Sequence, residues 1–203
     1  MIITYPAIAV LEFSGIASGI LAGDAMIKCA PITVLKTGTV HNGKCLVLIG
    51  GSVAAVEESY LKGLTIGADE VVDHVILPDV HEQVHRAILG MRNPCSADAI
   101  GIFETATVSA TIKSADAGIK GAEVDIVEIR MADDLGGKAF SIFSGKVEEV
   151  EAALKIAQDN STDIKFWQKQ TIIPNLHLQM ANQIDQSTYF AKNTLLKLEG
   201  GEI

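Results

Sequence analysis

Residues 7–12 read AIAVLE, and residues 99–104, which lie 92 positions later, read AIGIFE. Both stretches are apolar up to a closing glutamate. A continuous apolar run rich in Val, Ile and Leu is typical of a β-strand that is covered on both faces. Because internal repeats mark repeated structural units, the return of this stretch predicts two copies of one fold.

Further matches follow in the same order in both copies. They pair Asp24-Ala25 with Asp116-Ala117, Gly43-Lys44 with Gly137-Lys138, and His81 with His177. The separation grows from 92 to 94 and then to 96 positions, as happens when loops differ slightly in length. We therefore interpret the copies as tandem domains with one order of elements.

Each copy follows the pattern β-α-β-β-α-β. In the first copy we predict strands at 7–13, 33–36, 45–49 and 71–77, helices at 16–29 and after Ser52, and Ser14 as the first N-cap. In the second copy we predict strands at 125–130, 139–143 and 165–173, a second helix after Gly145, and an apolar helical stripe formed by Val108, Ile112, Ala115 and Ile119. Short helices at 81–89 and 177–184 close the copies. The predicted fold class is α/β (α+β), with two tandem ferredoxin-like βαββαβ domains.

The domain boundaries follow from the repeat. We place the first domain at residues 1–92 and the second at residues 97–185. The segment between them contains Asn93, Pro94 and Ser96, which are common residue types in linkers. Residues 186–203 have no counterpart in the first copy, and we interpret them as a C-terminal extension that forms a short helix or a loose tail.

Two pairs of equivalent polar residues indicate structural roles. His81 and His177 both precede the terminal helices, which favours a capping role. Glu12 and Glu104 both end the first strand of a copy. We expect these carboxylates to form hydrogen bonds at the domain interface rather than to act in catalysis.

Composition excludes several classes of protein. The 203 residues carry a formal net charge of −9, which argues against nucleic acid as a partner because phosphate binding needs clustered Lys and Arg. The three cysteines show no CxxC spacing, so neither a disulfide framework nor a zinc site within one chain is expected. Hydrophobic residues make up 48%, yet no run is long enough for a membrane helix. The amino terminus lacks signal-peptide features, so we expect a cytoplasmic protein with apolar contacts between subunits.

The repeated motifs resemble the bacterial microcompartment shell domain. The second copy carries the resemblance through residues 99–105, Ser114-Ala115-Asp116-Ala117 and Ser144-Gly145-Lys146-Val147; the first carries it through Glu12, residues 23–28 and residues 50–53. The resemblance covers about residues 7–185. Two fused, unpermuted copies are similar to the tandem-domain class, which implies a homotrimer that forms a pseudohexameric ring with a central pore.

The resemblance also implies the position of the pore. The loop before each Gly-Lys pair corresponds to the family's pore loop, although an ordinary hairpin with turn glycines has the same pattern. The implied pore residues are Val40, His41, Asn42, Gly43, Asp133, Asp134, Leu135, Gly136 and Gly137. Asp133 and Asp134 would contribute six carboxylates per trimer, and Lys44, Arg130 and Lys138 nearby leave the sign of the pore potential open.

His41 occupies the loop position at which some tandem shell proteins carry a cysteine that holds an iron–sulfur cluster on the axis. Three imidazoles there would suit a metal ion such as zinc or copper, or a pH-sensitive gate. A histidine that only lines the channel is the favoured interpretation, so we expect no cofactor and keep a pore-bound metal as the alternative.

The resemblance places Lys28 and Lys120 at the edge between neighbouring rings. Asp24 and Asp116 lie one helical turn earlier and are expected to orient these lysines. The family commonly has an arginine after the proline that follows the last strand, whereas this chain has Asp79 and Asn175. This departure indicates weaker self-tiling and a place among other shell proteins.

We found no nucleophile–base pairing, nucleotide loop or metal triad within the chain, so we do not expect an enzyme. The leading hypothesis is a structural tile of a microcompartment shell that passes small metabolites or ions through its pore. The alternatives are a shell protein that carries a metal or redox centre at His41, and a soluble trimeric small-molecule sensor.

Overall fold

The computed structural model describes residues 5–95 and 98–194. The first domain consists of β1 (Ala7–Phe13), α1 (Ile16–Cys29), β2 (Thr33–Val40), β3 (Lys44–Gly51), α2 (Val53–Gly67), β4 (Val71–Leu77) and α3 (Glu82–Ile88). The second domain repeats this order with β5 (Ala99–Thr105), α4 (Val108–Gly121), β6 (Val124–Met131), β7 (Ala139–Gly145), α5 (Val147–Asp159), β8 (Trp167–Pro174) and α6 (Leu178–Gln186). The predicted tandem βαββαβ pattern is confirmed.

Each domain contains one four-stranded antiparallel sheet. The strand orders are β2-β3-β1-β4 and β6-β7-β5-β8. All seven residues of β1 are buried, as the apolar run predicted, because helices cover one face of the sheet and the terminal helix and second domain cover the other. On the helical side of β5, a Cβ at Gly101 would lie 2.6 Å from the Val150 side chain, so this position needs glycine for close packing of α5.

Several helix starts are set by side chains. Ser52 caps α2 by accepting a hydrogen bond from Ala55 N–H. His81 and His177 cap α3 and α6, and each Nδ1 accepts from a glutamine N–H at 3.3 Å. The capping role predicted for both histidines is therefore confirmed.

Three sequence-based details were wrong. The N-cap of α1 is Gly15 rather than Ser14, whose hydroxyl instead donates to the Glu70 carbonyl at 3.3 Å. Strand β2 runs to Val40 instead of Lys36, because its pairing with β3 continues through the polar residues Thr37–Thr39. Strand β8 starts at Trp167 rather than Lys165, since residues 164–166 form a 3-10 turn capped by Asp163.

Candidate functional site

The two domains meet along one face of α4. Its stripe of Val108, Ile112, Ala115 and Ile119 is 0–7% exposed, and the helix packs against β1 and β4 of the first domain. This contact belongs to a continuous apolar core that spans both domains. The predicted stripe thus holds the tandem domains together.

Three of the four equivalent positions on α1 are open to solvent, and the fourth is the buried Gly23. Ile16, Ile20 and Ile27 occupy the positions of Val108, Ile112 and Ile119, and they are 43%, 63% and 51% exposed. The same pattern is therefore buried in one copy and open in the other.

A buried polar network joins the domains beside this stripe. Glu12 is fully buried, and its Oε1 accepts a hydrogen bond from Ser109 N–H at 2.7 Å. Its Oε2 lies 3.4 Å from Lys44 Nζ, and Nζ also donates to the Ala106 carbonyl at 3.1 Å. The interface role predicted for Glu12 is confirmed, and Lys44 is a partner that the sequence did not single out.

In the second domain the equivalent glutamate and lysine are exposed to solvent. Glu104 Oε2 lies 3.7 Å from Lys138 Nζ, and the two side chains are 42% and 49% exposed. The recurrence of lysine after glycine in both copies was the signal that could have paired Lys44 with Glu12.

The pKa of Glu12 is raised above its ordinary value of 4.5, mainly because burial disfavours the charged carboxylate. The Ser109 N–H and the Lys44 charge act in the opposite direction, and the Asp73 charge adds to the increase. Because the folded-state pKa exceeds the unfolded value, the folded chain binds this proton more tightly. The resulting stability is complete below pH 4.5 and is lost as the pH rises through the folded-state pKa.

We therefore expect Glu12→Gln to remove one pH-dependent contribution to the free energy of unfolding. The wild-type value minus the variant value should fall as the pH rises above 4.5, by at most ~1.4 kcal/mol per pH unit for one proton. Urea unfolding at a series of pH values measures it. A difference for Glu12→Gln that does not change with pH would contradict the assignment.

A second polar cluster lies at the other side of the contact. Asp73 is buried, and its Oδ2 accepts hydrogen bonds from the hydroxyls of Thr107 and Thr162. The Thr107 hydroxyl also caps α4 by accepting from Ala110 N–H. Sequence reasoning missed this cluster because its members are far apart along the chain and lack counterparts of the same type in the other copy.

The four predicted edge residues form two helical ion pairs in different surroundings. Asp116 Oδ2 and Lys120 Nζ are 2.7 Å apart, and Asp116 Oδ1 accepts a hydrogen bond from His81 N–H of the first domain. Lys120 also donates to the Asp79 carbonyl, a backbone contact that does not depend on the residue type at position 79. Asp24 and Lys28 are 2.6 Å apart on an open surface, with side chains 55% and 74% exposed.

The two predicted pore loops lie against each other within the chain. The first is a 3-10 turn at His41–Gly43, in which Asn42 and Gly43 have φ near +70°. The second joins β6 to β7 and has positive φ at four residues, Ala132, Asp134, Gly136 and Gly137. A Cβ at Gly137 would lie 3.0 Å from the His41 carbonyl oxygen, so contact with the other loop requires this glycine.

Exposure differs along these loops. His41, Asn42, Gly43, Asp133, Asp134 and Gly136 are exposed, whereas Val40 and Leu135 are half-buried and Gly137 is buried. The carboxylates of Asp133 and Asp134 therefore face solvent in the single chain.

A hydrogen bond between the loops determines the tautomer of His41. Its Nδ1 accepts from Asp134 N–H at 3.1 Å, so a neutral ring carries its proton on Nε2. Neither nitrogen then offers a free lone pair to a metal ion. Within the described residues, no three His, Cys, Asp or Glu side chains are grouped to hold a metal.

Comparison with known proteins identifies the repeated unit. The BMC domain model matches twice, at residues 7–80 and 99–176, and these ranges cover the two sheets and the two long helices of each domain, ending just before α3 and α6.

The chain belongs to the BMC-domain family.

Its relatives include the bacterial microcompartment shell protein PduT of Citrobacter freundii, which is 35% identical over 178 residues, covering 88% of this chain and 97% of PduT. The carboxysome assembly protein CcmO of Synechocystis is 24% identical over 82% of this chain and 60% of its own length. A crystal structure of a microcompartment protein from Desulfitobacterium hafniense DCB superimposes with a TM-score of 0.76 and 37% identity, covering 87% and 98% of the two chains.

The tandem BMC domains establish this chain as a structural protein of a bacterial microcompartment shell. The family resemblance, the fold class and the shell localisation predicted from the sequence are confirmed. The comparisons give no support to a soluble sensor or to a shell protein that carries a metal or redox centre. No described helix combines the length and the apolar character that crossing a membrane requires.

Proposed function

We propose that three copies of this chain close into a pseudohexameric ring, a shell tile with a central threefold pore. One observation carries this proposal: the repeated stripe is buried on α4 and open on α1. A head-to-tail contact made once within a chain closes a ring when it is repeated between chains. Burial of Ile16, Ile20 and Ile27 by a neighbouring copy would remove this apolar surface from water.

The second domain offers the surface that would receive α1. In the first domain, Val10, Leu46 and Val84 lie at the contact with the second domain. Their counterparts Ile102, Phe140 and Met180 line an apolar hollow of about 340 Å³, and Met180 is 53% exposed. The hollow supports a contact between chains in which α1 packs as α4 packs against the first domain within the chain.

Polar residues equivalent to those at the contact between the domains also favour a contact between α1 and the second domain of a neighbouring copy. Glu104 and Lys138 correspond to Glu12 and Lys44, so they would meet Ala17 N–H and the Ser14 carbonyl of the neighbouring copy. Asp24 corresponds to Asp116 and would accept from the neighbour's His177 N–H. These contacts would bury the Glu104–Lys138 pair and the Asp24 carboxylate, which are exposed in the single chain.

The central pore would be lined by the two contacting loops. We assign to it the nine residues Val40, His41, Asn42, Gly43, Asp133, Asp134, Leu135, Gly136 and Gly137. Direct contact between the loops supports their reaching one axis together. Small metabolites or ions would pass there, under a field to which Asp133 and Asp134 contribute six carboxylates.

Replacing those carboxylates tests the pore. The double change Asp133→Asn and Asp134→Asn should lower the K⁺/Cl⁻ permeability ratio of trimers in a planar bilayer by about twofold or more. The double change Asp69→Asn and Asp159→Asn, at exposed positions away from the loops, gives the same change in net charge and should leave the ratio intact. If both double changes lowered the permeability ratio equally, the assignment of these loops to the pore would be contradicted.

The tile would join other shell proteins laterally through Lys28 and Lys120, whose side chains are 74% and 38% exposed, with Asp24 and Asp116 orienting the two ammonium groups. We assign the domains to residues 1–92 and 97–185, with an extension at 186–203. We assign no catalytic role and no resident cofactor, and the His41 tautomer supports a channel-lining role over metal binding.

The mass and the lateral assembly of the purified protein test the whole proposal. Sedimentation should give three times the chain mass of 21.5 kDa, and electron microscopy should show sheets alone or with a second shell protein. A monomer at all concentrations would overturn the ring. A trimer that enters no sheet with any shell partner would overturn the tile.

A further inference from the structure

A large cleft contains a buried cation that pairs with no carboxylate among the described residues. This cleft of about 620 Å³ lies between the domains, bounded by the end of α3, strand β6 and the chain after α6. Arg130 on β6 and Tyr189 after α6 both line it. Its volume falls within the range of small-molecule sites, about 300–1,000 Å³.

Arg130 is only 8% exposed. Its guanidinium lies 3.6 Å from the centre of the Tyr189 ring and 5.6 Å from that of Phe140. Nη1 donates to the carbonyl and the hydroxyl of Thr188, while the buried Nε–H has no partner. No described residue bonds to Nη2 or forms an ion pair with Arg130. A buried charge without a counterion is costly, so this arrangement needs a negative partner.

Arg92 in the same cleft shows the contrast. Its Nη2 lies 3.1 Å from Glu128 Oε2 and also donates to the Ile184 carbonyl, while its Nη1 donates to the Asp185 carbonyl. Glu128 receives a further hydrogen bond from the Thr188 hydroxyl at 2.7 Å. Arg92 and Glu128 therefore neutralise each other's charge. Arg130 is the buried cation in this cleft that has no carboxylate partner among the described residues.

The rim of the cleft adds positive charge. Lys36 on β2 and Lys192 near the end of the described chain both line it and are exposed. Asp133 is the acidic rim residue that lacks an ion pair among the described residues. Three cations therefore face one free carboxylate in a chain whose net charge is −9, which makes the cleft a local positive site.

We propose that this cleft binds a small metabolite through an oxyanion group, a carboxylate or a phosphate. The oxyanion accepts from Arg130 Nη2, and Lys36 and Lys192 attract it at the rim. A guanidinium suits this task because its planar donors match both kinds of oxyanion. The site is formed by one chain and does not require the ring, although its rim residue Asp133 is also assigned to the pore and Thr188 also lines the hollow proposed to receive α1.

Calorimetric titration of the full-length protein with sodium phosphate and, separately, sodium acetate in chloride buffer tests the site. At least one anion should bind in the millimolar range or tighter, and the stronger of the two identifies the oxyanion class. Arg130→Gln should weaken binding at least tenfold, and Lys36→Gln or Lys192→Gln about two- to fivefold each. Thermal melting checks the fold of Arg130→Gln, while the exposed lysine variants keep the test valid if that variant does not fold.

Lys155→Gln is the matched control, because Lys155 is exposed on α5 and does not line the cleft. It should leave the affinity unchanged. The proposal is overturned if neither anion binds the wild type, if a folded Arg130→Gln binds normally, or if Lys155→Gln weakens binding as much as Lys36→Gln does.

Discussion

Ile20→Lys is expected to convert the trimer into a folded monomer. In the proposed ring Ile20 takes the position of Ile112, which is fully buried against the first domain. A lysine there would place an unpaired charge in an apolar contact, at a cost of about 3 kcal/mol or more per contact. The dissociation constant should rise at least about 100-fold. Sedimentation over a range of concentrations measures the change, and circular dichroism verifies the fold.

Leu21→Lys is the matched control for this variant. Leu21 is 60% exposed and Ile20 is 63% exposed, so the two changes have the same chemistry and nearly the same starting exposure. The second copy carries Lys113 at the position of Leu21, and Lys113 is only half-buried although α4 packs against the first domain. Leu21→Lys should therefore leave the trimer intact. Dissociation by both variants alike would show that the α1 stripe is not the contact.

Ile112→Ala is expected to lower the free energy of unfolding by about 2–5 kcal/mol. Ile112 is 0% exposed and borders a pocket of about 160 Å³ between the domains. Removing three buried carbons loses their transfer free energy and leaves space that the packed surroundings fill only in part. Urea unfolding measures the loss, and the cost should not vary with protein concentration because both surfaces belong to one chain.

Ile20→Ala completes this comparison between equivalent positions. Its cost should be near zero in dilute protein and should grow with concentration, because its partner surface belongs to another copy. A cost that is the same at every concentration would mean that α1 packs only within its own chain, and the ring would then need a different contact.

The sequence predicted the fold because the relevant signals are local or repeated. The bounds of β1, β4 and α1 agree with the residues predicted from apolar runs and helical spacing. Capping by His81 and His177 followed from their equivalence, since a structural role repeats with the fold. The N-cap of α1 was missed because the Ser14 hydroxyl is taken by Glu70, a residue 56 positions away.

The chain by itself thus determined two tandem βαββαβ domains, the loops between their second and third strands, and an apolar stripe on the first helix of the second copy. Only the tertiary structure decided which stripe is covered, because Ile20 and Ile112 look alike in sequence and differ only in what packs against them. It also decided that His41 shares a hydrogen bond with Asp134 and that Arg130 is buried without a counterion. Burial and pairing depend on residues that are distant along the chain, so no local pattern records them.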